Sequence, residues 1–133
     1  MSKTGFLFLT ATIFLFTLLL TSCTGSGGSN DGAVEAVETY IQALSDKNAD
    51  HMIAASCAAW EEQAQLELDA FAGVQTRVED MACQVTGSEG ETTLVSCTGQ
   101  IVATYSAEDR NFPLDTTAFQ VMQEGGEWRV CGR

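Results

Sequence analysis

The spacing of apolar residues changes near Val74, and this change limits the possible folds more than any other feature of the chain. Before Val74 the apolar residues recur at a helical period, beginning with the stripe Val34, Val37, Ile41 and Leu44. After Val74 apolar and polar residues alternate, which is typical of strands that bury one face. Helices followed by antiparallel strands predict an α+β fold.

The turn signals between these segments predict three helices and about four strands. The expected helices cover residues 31–45, 50–57 and 58–72, with Gly73 placed to end the third. The expected strands cover residues 81–86, 95–104, 114–123 and 127–132. The last two strands are joined by the hairpin signal Gly125-Gly126. We therefore expect N-terminal helices packed on a curved antiparallel sheet.

An apolar run at residues 5–20 follows the basic residue Lys3, as in an export signal. As a helix the run would be roughly 24 Å long, short of the ~30 Å hydrocarbon core, so a retained membrane anchor is the weaker interpretation. A plain secretory signal needs a second small residue where Leu20 stands. Residues 5–20 are therefore better explained by an export signal of another kind than by a membrane anchor or a plain secretory signal.

The residues that follow, Leu20-Thr21-Ser22-Cys23, resemble the lipobox of bacterial lipoproteins. The resemblance implies that residues 1–22 are a signal peptide and that Cys23 carries a diacylglyceryl group, with palmitate as the acyl chain. Residues 23–32 are rich in Gly and Ser and predict a flexible tether that spans about 15–18 Å. Residues 33–133 then form one α+β domain. We expect a lipid-anchored protein on the outer face of the cytoplasmic membrane or on the outer membrane.

The exported part of the chain is strongly acidic. None of the 18 Asp and Glu residues precedes Cys23, and of the six Lys and Arg residues only Lys3 does. Such a surface repels the phosphates of nucleic acids and of anionic lipids. This excludes nucleic acid as a partner, and it leaves the membrane as a partner through the lipid anchor alone.

Four cysteines remain in the domain, and their wide spacing argues against a zinc site built from close pairs. Export favours disulfides instead. A turn centred near residues 89–90 places Cys83 opposite Cys97, so we expect this bond. The pair Cys57–Cys131 follows by elimination. Strict alternation turns Cys131 away from the core, so a bond to a helix on the core side needs a bulge or a frayed strand end.

We interpret two clusters of polar residues as structural features of the fold. Residues 46–50 open like a calcium loop, but His51 and Cys57 stand where Gly and Glu are needed, so we expect a turn and a helix N-cap without a metal. His51 is the single histidine and is expected to be solvated. A solvated helix face accounts for Glu61, Glu62 and Glu67.

The element order resembles the nuclear-transport-factor-2-like, cystatin-like α+β superfamily, and within it small bacterial lipoproteins. The likeness covers about residues 33–131 and rests on the helix at 34–44 and on the closing run 125–130, Gly-Gly-Glu-Trp-Arg-Val. The chain has Asn-Ala-Asp at 48–50, where the family loop usually contains Gly-Asp. The resemblance implies a cone-shaped cavity between the helices and the sheet, which serves as a ligand pocket, an active site or a core.

Five aromatic residues are candidates for lining such a cavity: Tyr40, Trp60, Tyr105, Phe119 and Trp128. In an enzyme of this kind Tyr40 would need an acidic partner, and Asp80 or Asp115 would have to supply it. No catalytic motif is present, and we expect no cofactor. We therefore expect a cell-envelope lipoprotein whose domain binds a small ligand or an envelope protein. A small isomerase or hydrolyase that uses the same cavity is the alternative.

Overall fold

Three helices precede five antiparallel strands in the computed structural model, which describes residues 28–133. The helices are α1 (Gly28–Asp46), α2 (Ala49–Ala54) and α3 (Glu61–Ala70). The strands are β1 (Gln75–Glu89), β2 (Thr92–Tyr105), β3 (Glu108–Pro113), β4 (Phe119–Glu124) and β5 (Glu127–Gly132). The α+β prediction is confirmed. The predicted signal peptide, Cys23 and the tether as far as residue 27 lie outside the described residues. Within residues 28–133 no helix is long and apolar enough to cross a bilayer.

The helices differ from the prediction at their ends. Helix α1 begins at Gly28, so residues 28–32 are helical and are not part of the predicted tether. Helix α2 ends at Ala54 because residues 55–57 leave the helix and run beside β5. Helix α3 begins at Glu61, later than expected.

The loop between α1 and α2 is a turn, as its polar residues predict. Lys47 has a φ of 57°, and the Asn48 N–H donates to the Ala43 carbonyl at 2.9 Å, which closes the end of α1. The Asn48 side chain then accepts from the His51 N–H at 3.1 Å. The predicted N-cap is therefore present at Asn48.

Strand β2 is the centre of the sheet. One of its edges pairs with β1, while the other is shared: Thr93–Val95 pair with β4 and Gln100–Tyr105 pair with β3. Strand β5 continues the sheet beyond β4. Gly99 lies between the two parts of β2 with a φ of 92°, and a Cβ there would lie 2.5 Å from the carbonyl oxygens of Glu79 and Asp80. The register of β1 against β2 shifts between Glu79 and Ala82, so Gly99 faces a bulge in β1 and glycine is required there.

Strand β3 is the fifth strand, where the sequence predicts about four. All six of its residues are exposed, so no alternation marks it in the sequence. In the turn between β2 and β3, Ser106 and Ala107 have φ values of 49° and 69°. Gly or Asn usually occupies such positions, so the sequence does not indicate this turn. Strand β4 begins at Phe119 and not near 114, because the chain turns between residues 114 and 118.

The apolar stripe of α1 packs against one face of the sheet and closes the core. Apolar side chains from α1, α2, β2, β4 and β5 meet there with almost no exposed surface. The larger of these side chains include Val37, Tyr40, Ile41, Leu44, Met52, Val95, Phe119, Val121 and Val130. Burial of these side chains is the main source of the domain's stability.

The predicted residue pairs are present in both hairpins, and the first hairpin reaches its pairing through a register shift between Val85 and Gly87. Val85 lies opposite Val95, and Cys83 opposite Cys97. In the last hairpin Trp128 lies opposite Gln123 and Val130 opposite Val121, so the alternation expected for β5 holds as far as Val130, beyond which the register shifts.

Two disulfides join the pairs that the sequence predicts. Cys83–Cys97 bridges β1 and β2, with Cα atoms 4.0 Å apart, and Cys57–Cys131 has Cα atoms 5.2 Å apart. The expected bulge is present at Cys131, because Val121 pairs with Val130 and Gln120 pairs with Gly132, which leaves Cys131 without a partner on β4. Cys57 does not lie on a core-side helix, since its N–H donates to the Val130 carbonyl at 2.9 Å and its segment pairs in parallel with β5.

Candidate functional site

Four side chains form a hydrogen-bonded cluster, here called the Tyr40 network. The Tyr40 hydroxyl donates to Oε2 of Glu67 at 2.9 Å, and the indole N–H of Trp60 donates to the same hydroxyl at 3.1 Å. Nε of Arg133 donates to Oε1 of Glu67 at 3.0 Å. Tyr40 is fully buried, and the Glu67 side chain is 9% exposed. The network therefore ties α1, α3 and the residue after β5 together.

The electrostatics of the network keep Tyr40 protonated. Burial raises the pKa of the Tyr40 hydroxyl well above its ordinary value, and the neighbouring Glu67 carboxylate raises this pKa further. The hydrogen bond from Trp60 acts in the opposite direction, with a smaller effect than burial. Tyr40 is thus a hydrogen-bond donor and not a base. Both carboxylate oxygens of Glu67 already accept hydrogen bonds, one of them from the Arg133 cation.

The acidic partner of Tyr40 is not one of the two predicted residues. Asp80 lies exposed at the β1 bulge, and Asp115 lies exposed in the turn after β3. The partner is Glu67, so the solvated position predicted for this residue is wrong, whereas Glu61 and Glu62 are exposed as expected. The sequence contains a signal for this position. Glu67 lies three residues after the buried Ala64 and one residue before the buried Leu68, so it lies at the edge of the apolar stripe of α3.

The five candidate aromatic residues do not share one lining. Tyr40 packs edge to face against Phe119, with ring centroids 6.2 Å apart, and Trp60 joins them through its hydrogen bond. Trp128 lies against Gly32 of α1. Tyr105 lies at the end of β2, where the Arg110 guanidinium is 5.6 Å from its ring centroid.

An open cleft of about 460 Å³ lies between the end of α3, strand β3 and the loop after β3. The cleft is lined by Leu44, Phe71, Ile101, Phe112, Leu114 and Arg133, together with polar residues of the loop. The rings of Phe71 and Phe112 meet at 5.2 Å and 86°. Phe112 is 39% exposed, so the cleft presents an apolar wall to solvent. Arg133 connects the cleft to the Tyr40 network.

An open groove of about 520 Å³ lies between α1, α2 and the turn that joins β4 to β5. Its walls include Gly32, Glu35, His51, Glu127 and Trp128. A Cβ on Gly32 would lie 2.5 Å from Cδ1 of Trp128, so the missing side chain lets the indole rest on the helix backbone. His51 is exposed, as expected, but it stands at the wall of a concave surface.

No group of three or more His, Cys, Asp or Glu side chains is arranged to hold a metal ion within residues 28–133. A scan against protein-family models gives no match to this chain, and neither does a search of curated proteins. The resemblance to the nuclear-transport-factor-2-like superfamily therefore remains a prediction, and the geometry of the two concave surfaces carries the functional argument.

Proposed function

We propose that this protein is a lipoprotein of the bacterial cell envelope whose domain binds a small ligand in the cleft and does not alter it chemically. The cleft itself carries the proposal. Its volume falls in the range of about 300–1,000 Å³ that small-molecule sites occupy. Its wall is apolar, with Phe112 exposed to solvent, and Arg133 is the single Lys or Arg among the described residues that line it.

The lining suggests the chemistry of the ligand. Apolar side chains favour an apolar body, and the Arg133 guanidinium has N–H donors beyond the Nε–H that binds Glu67. Since Glu67 compensates the charge of Arg133 and the domain is acidic, a full anion is disfavoured. We therefore expect a largely apolar molecule with a neutral acceptor such as a carbonyl or hydroxyl oxygen.

An isomerase or hydrolyase is the second candidate. It is favoured by the Tyr40 hydroxyl, whose pKa is raised by burial and by the adjacent Glu67 carboxylate, because perturbed acid–base groups concentrate at active sites. Two features weigh against it. Both oxygens of Glu67 already accept hydrogen bonds, and Tyr40 has no exposed surface through which a substrate could reach its hydroxyl.

The binding proposal is tested by mass spectrometry of small molecules that copurify with the protein. Thr117→Trp places an indole in the cleft, since Thr117 is an exposed lining residue. Thr98→Trp is the matched control, because Thr98 is also exposed and does not line the cleft. We expect an apolar molecule with the wild type and the control but not with Thr117→Trp. Equal amounts from both variants, or none from the wild type, would contradict the proposal.

The anchoring part of the proposal rests on the lipobox-like residues and on the position of α1. Because α1 begins at Gly28, the five peptide units from Cys23 reach at most about 18 Å, so a lipid on Cys23 would hold the domain close to the membrane surface. Cys23→Ser should abolish labelling by radioactive palmitate and should either release the domain or leave an uncleaved precursor. Equal labelling of the mutant and the wild type would exclude acylation of Cys23.

A further inference from the structure

The groove differs from the cleft in its charge, and within residues 28–133 the two have no lining residue in common. Two carboxylates, Glu35 and Glu127, stand at the groove, while none of the described residues that line it is Lys or Arg. The indole of Trp128 forms one wall. The groove therefore combines an aromatic surface with negative charge, and its chemistry does not depend on the function proposed for the cleft.

The walls of the groove are held by contacts on both sides. Trp128 is pressed against the α1 backbone at Gly32. The end of α2 is fastened to β5, because Nη1 of Arg129 donates to the Ala54 carbonyl at 2.6 Å and the Val130 N–H donates to the Ala55 carbonyl at 2.8 Å. The indole wall and the end of α2 are thus fixed in place before a ligand binds, which lowers the entropic cost of binding.

We propose that the groove binds an organic cation in which the ammonium nitrogen carries alkyl groups. A cation of this kind is attracted to the face of an indole ring and remains less strongly hydrated than a metal ion, so carboxylates nearby can add to the attraction. The acidic surface of the domain concentrates cations around it.

The two carboxylates contribute unequally. Nη2 of Arg129 lies 2.7 Å from Oε2 of Glu127, so this carboxylate is already paired with a cation on its own strand. Glu35 lies on the first half of α1 and is exposed. We therefore expect Glu35 to supply more of the attraction than Glu127.

The test uses the full-length chain in dodecyl maltoside, a detergent without an ammonium group. Choline and benzyltrimethylammonium are titrated by calorimetry, and 3,3-dimethylbutan-1-ol serves as the uncharged isostere of choline. We expect saturable binding of at least one cation, and binding of choline at least about tenfold tighter than that of its isostere. Absence of binding by both cations, or equal affinity for choline and the isostere, would overturn the proposal.

Three variants locate the site. Trp128→Leu should weaken cation binding by about 2- to 30-fold, since it keeps an apolar side chain but removes the ring. Glu35→Gln should weaken it several-fold, in a salt-dependent manner, while Glu62→Gln, an exposed carboxylate on α3, should leave it unchanged. If Trp128→Leu fails to fold, the comparison of Glu35→Gln with Glu62→Gln decides. Equal effects of these two would place the binding outside the groove.

The same ammonium chemistry occurs in soluble metabolites and in lipid headgroups. Competition between choline and nanodiscs of phosphatidylcholine, with phosphatidylglycerol nanodiscs as the control, distinguishes the two sources. Competition by phosphatidylcholine alone would assign a headgroup, and no competition by either lipid would assign a soluble cation.

Discussion

Replacing Tyr40 with Phe isolates the contribution of the Tyr40 network, because it removes one hydroxyl and keeps the buried ring. The hydroxyl makes two hydrogen bonds, one to the Glu67 carboxylate at 2.9 Å and one from the Trp60 indole at 3.1 Å. The edge-to-face contact with Phe119 should survive the change. The loss of stability then reports on the two hydrogen bonds.

The two hydrogen bonds differ in strength and in how far water can replace the lost hydroxyl. A hydrogen bond to a charged group contributes about 1.5–3 kcal/mol, and a neutral one about 0.5–1.5 kcal/mol. Trp60 is half-buried, so water can partly satisfy its N–H, whereas the Glu67 side chain is 9% exposed and recovers little. We therefore expect Tyr40→Phe to lower the free energy of unfolding by about 2–4 kcal/mol.

Urea unfolding followed by circular dichroism measures this change. The other tyrosine provides a matched control, since Tyr105 lies at the end of β2 outside the network, and Tyr105→Phe should change the free energy of unfolding by less than about 0.5 kcal/mol. A double-mutant cycle with Glu67→Gln should show coupling to Tyr40→Phe. Equal losses from the two Tyr→Phe variants, or additive effects in the cycle, would refute the reasoning.

Three further outcomes follow from the same structure. Because the pKa of Tyr40 is raised in the folded state above its unfolded value of about 10, its contribution to stability is complete below about pH 10 and is lost as the pH rises further. The free energy of unfolding should therefore fall above pH 10 in the wild type, and by less in Tyr40→Phe. Replacing both Cys57 and Cys131 by Ser should cost about 2–4 kcal/mol. Non-reducing peptide mapping of the wild type should give Cys57–Cys131 and Cys83–Cys97 peptides, and a mixed pair such as Cys57–Cys83 would contradict the structure.

The two hairpins β1–β2 and β4–β5 can be predicted from the sequence because the residues that determine their pairing lie close together in the chain. A turn of known length fixes which residues face each other, so the Gly125-Gly126 turn places Trp128 opposite Gln123. In the earlier hairpin Glu89 pairs with Thr92, and a register shift between Val85 and Gly87 then brings Cys83 opposite Cys97. Helix α1 is predicted for the same reason, because the spacing of its apolar residues can be recognised without knowing what they pack against.

The features that the sequence does not predict depend on contacts between distant parts of the chain. Strand β3 consists of exposed residues and is held by pairing with β2, so its own composition gives no signal. Glu67 is drawn inward by Tyr40 on α1 and by Arg133 after β5, and neither is near it in sequence. The positive φ angles of Ser106 and Ala107 are likewise imposed by the hairpin between β2 and β3.

The disulfide Cys57–Cys131 shows how one such long-range contact organises the others. Elimination identifies the pair, but the bond joins a segment beside β5 and not a helix on the core side. The Cys57 carbonyl accepts from the Trp60 N–H at 2.8 Å, and the Trp60 indole donates to Tyr40. The position of Trp60 in the network therefore depends on the segment that the disulfide fixes. Loss of the disulfide should already weaken the network, so its cost and that of Tyr40→Phe should sum to more than the cost of the combined variant.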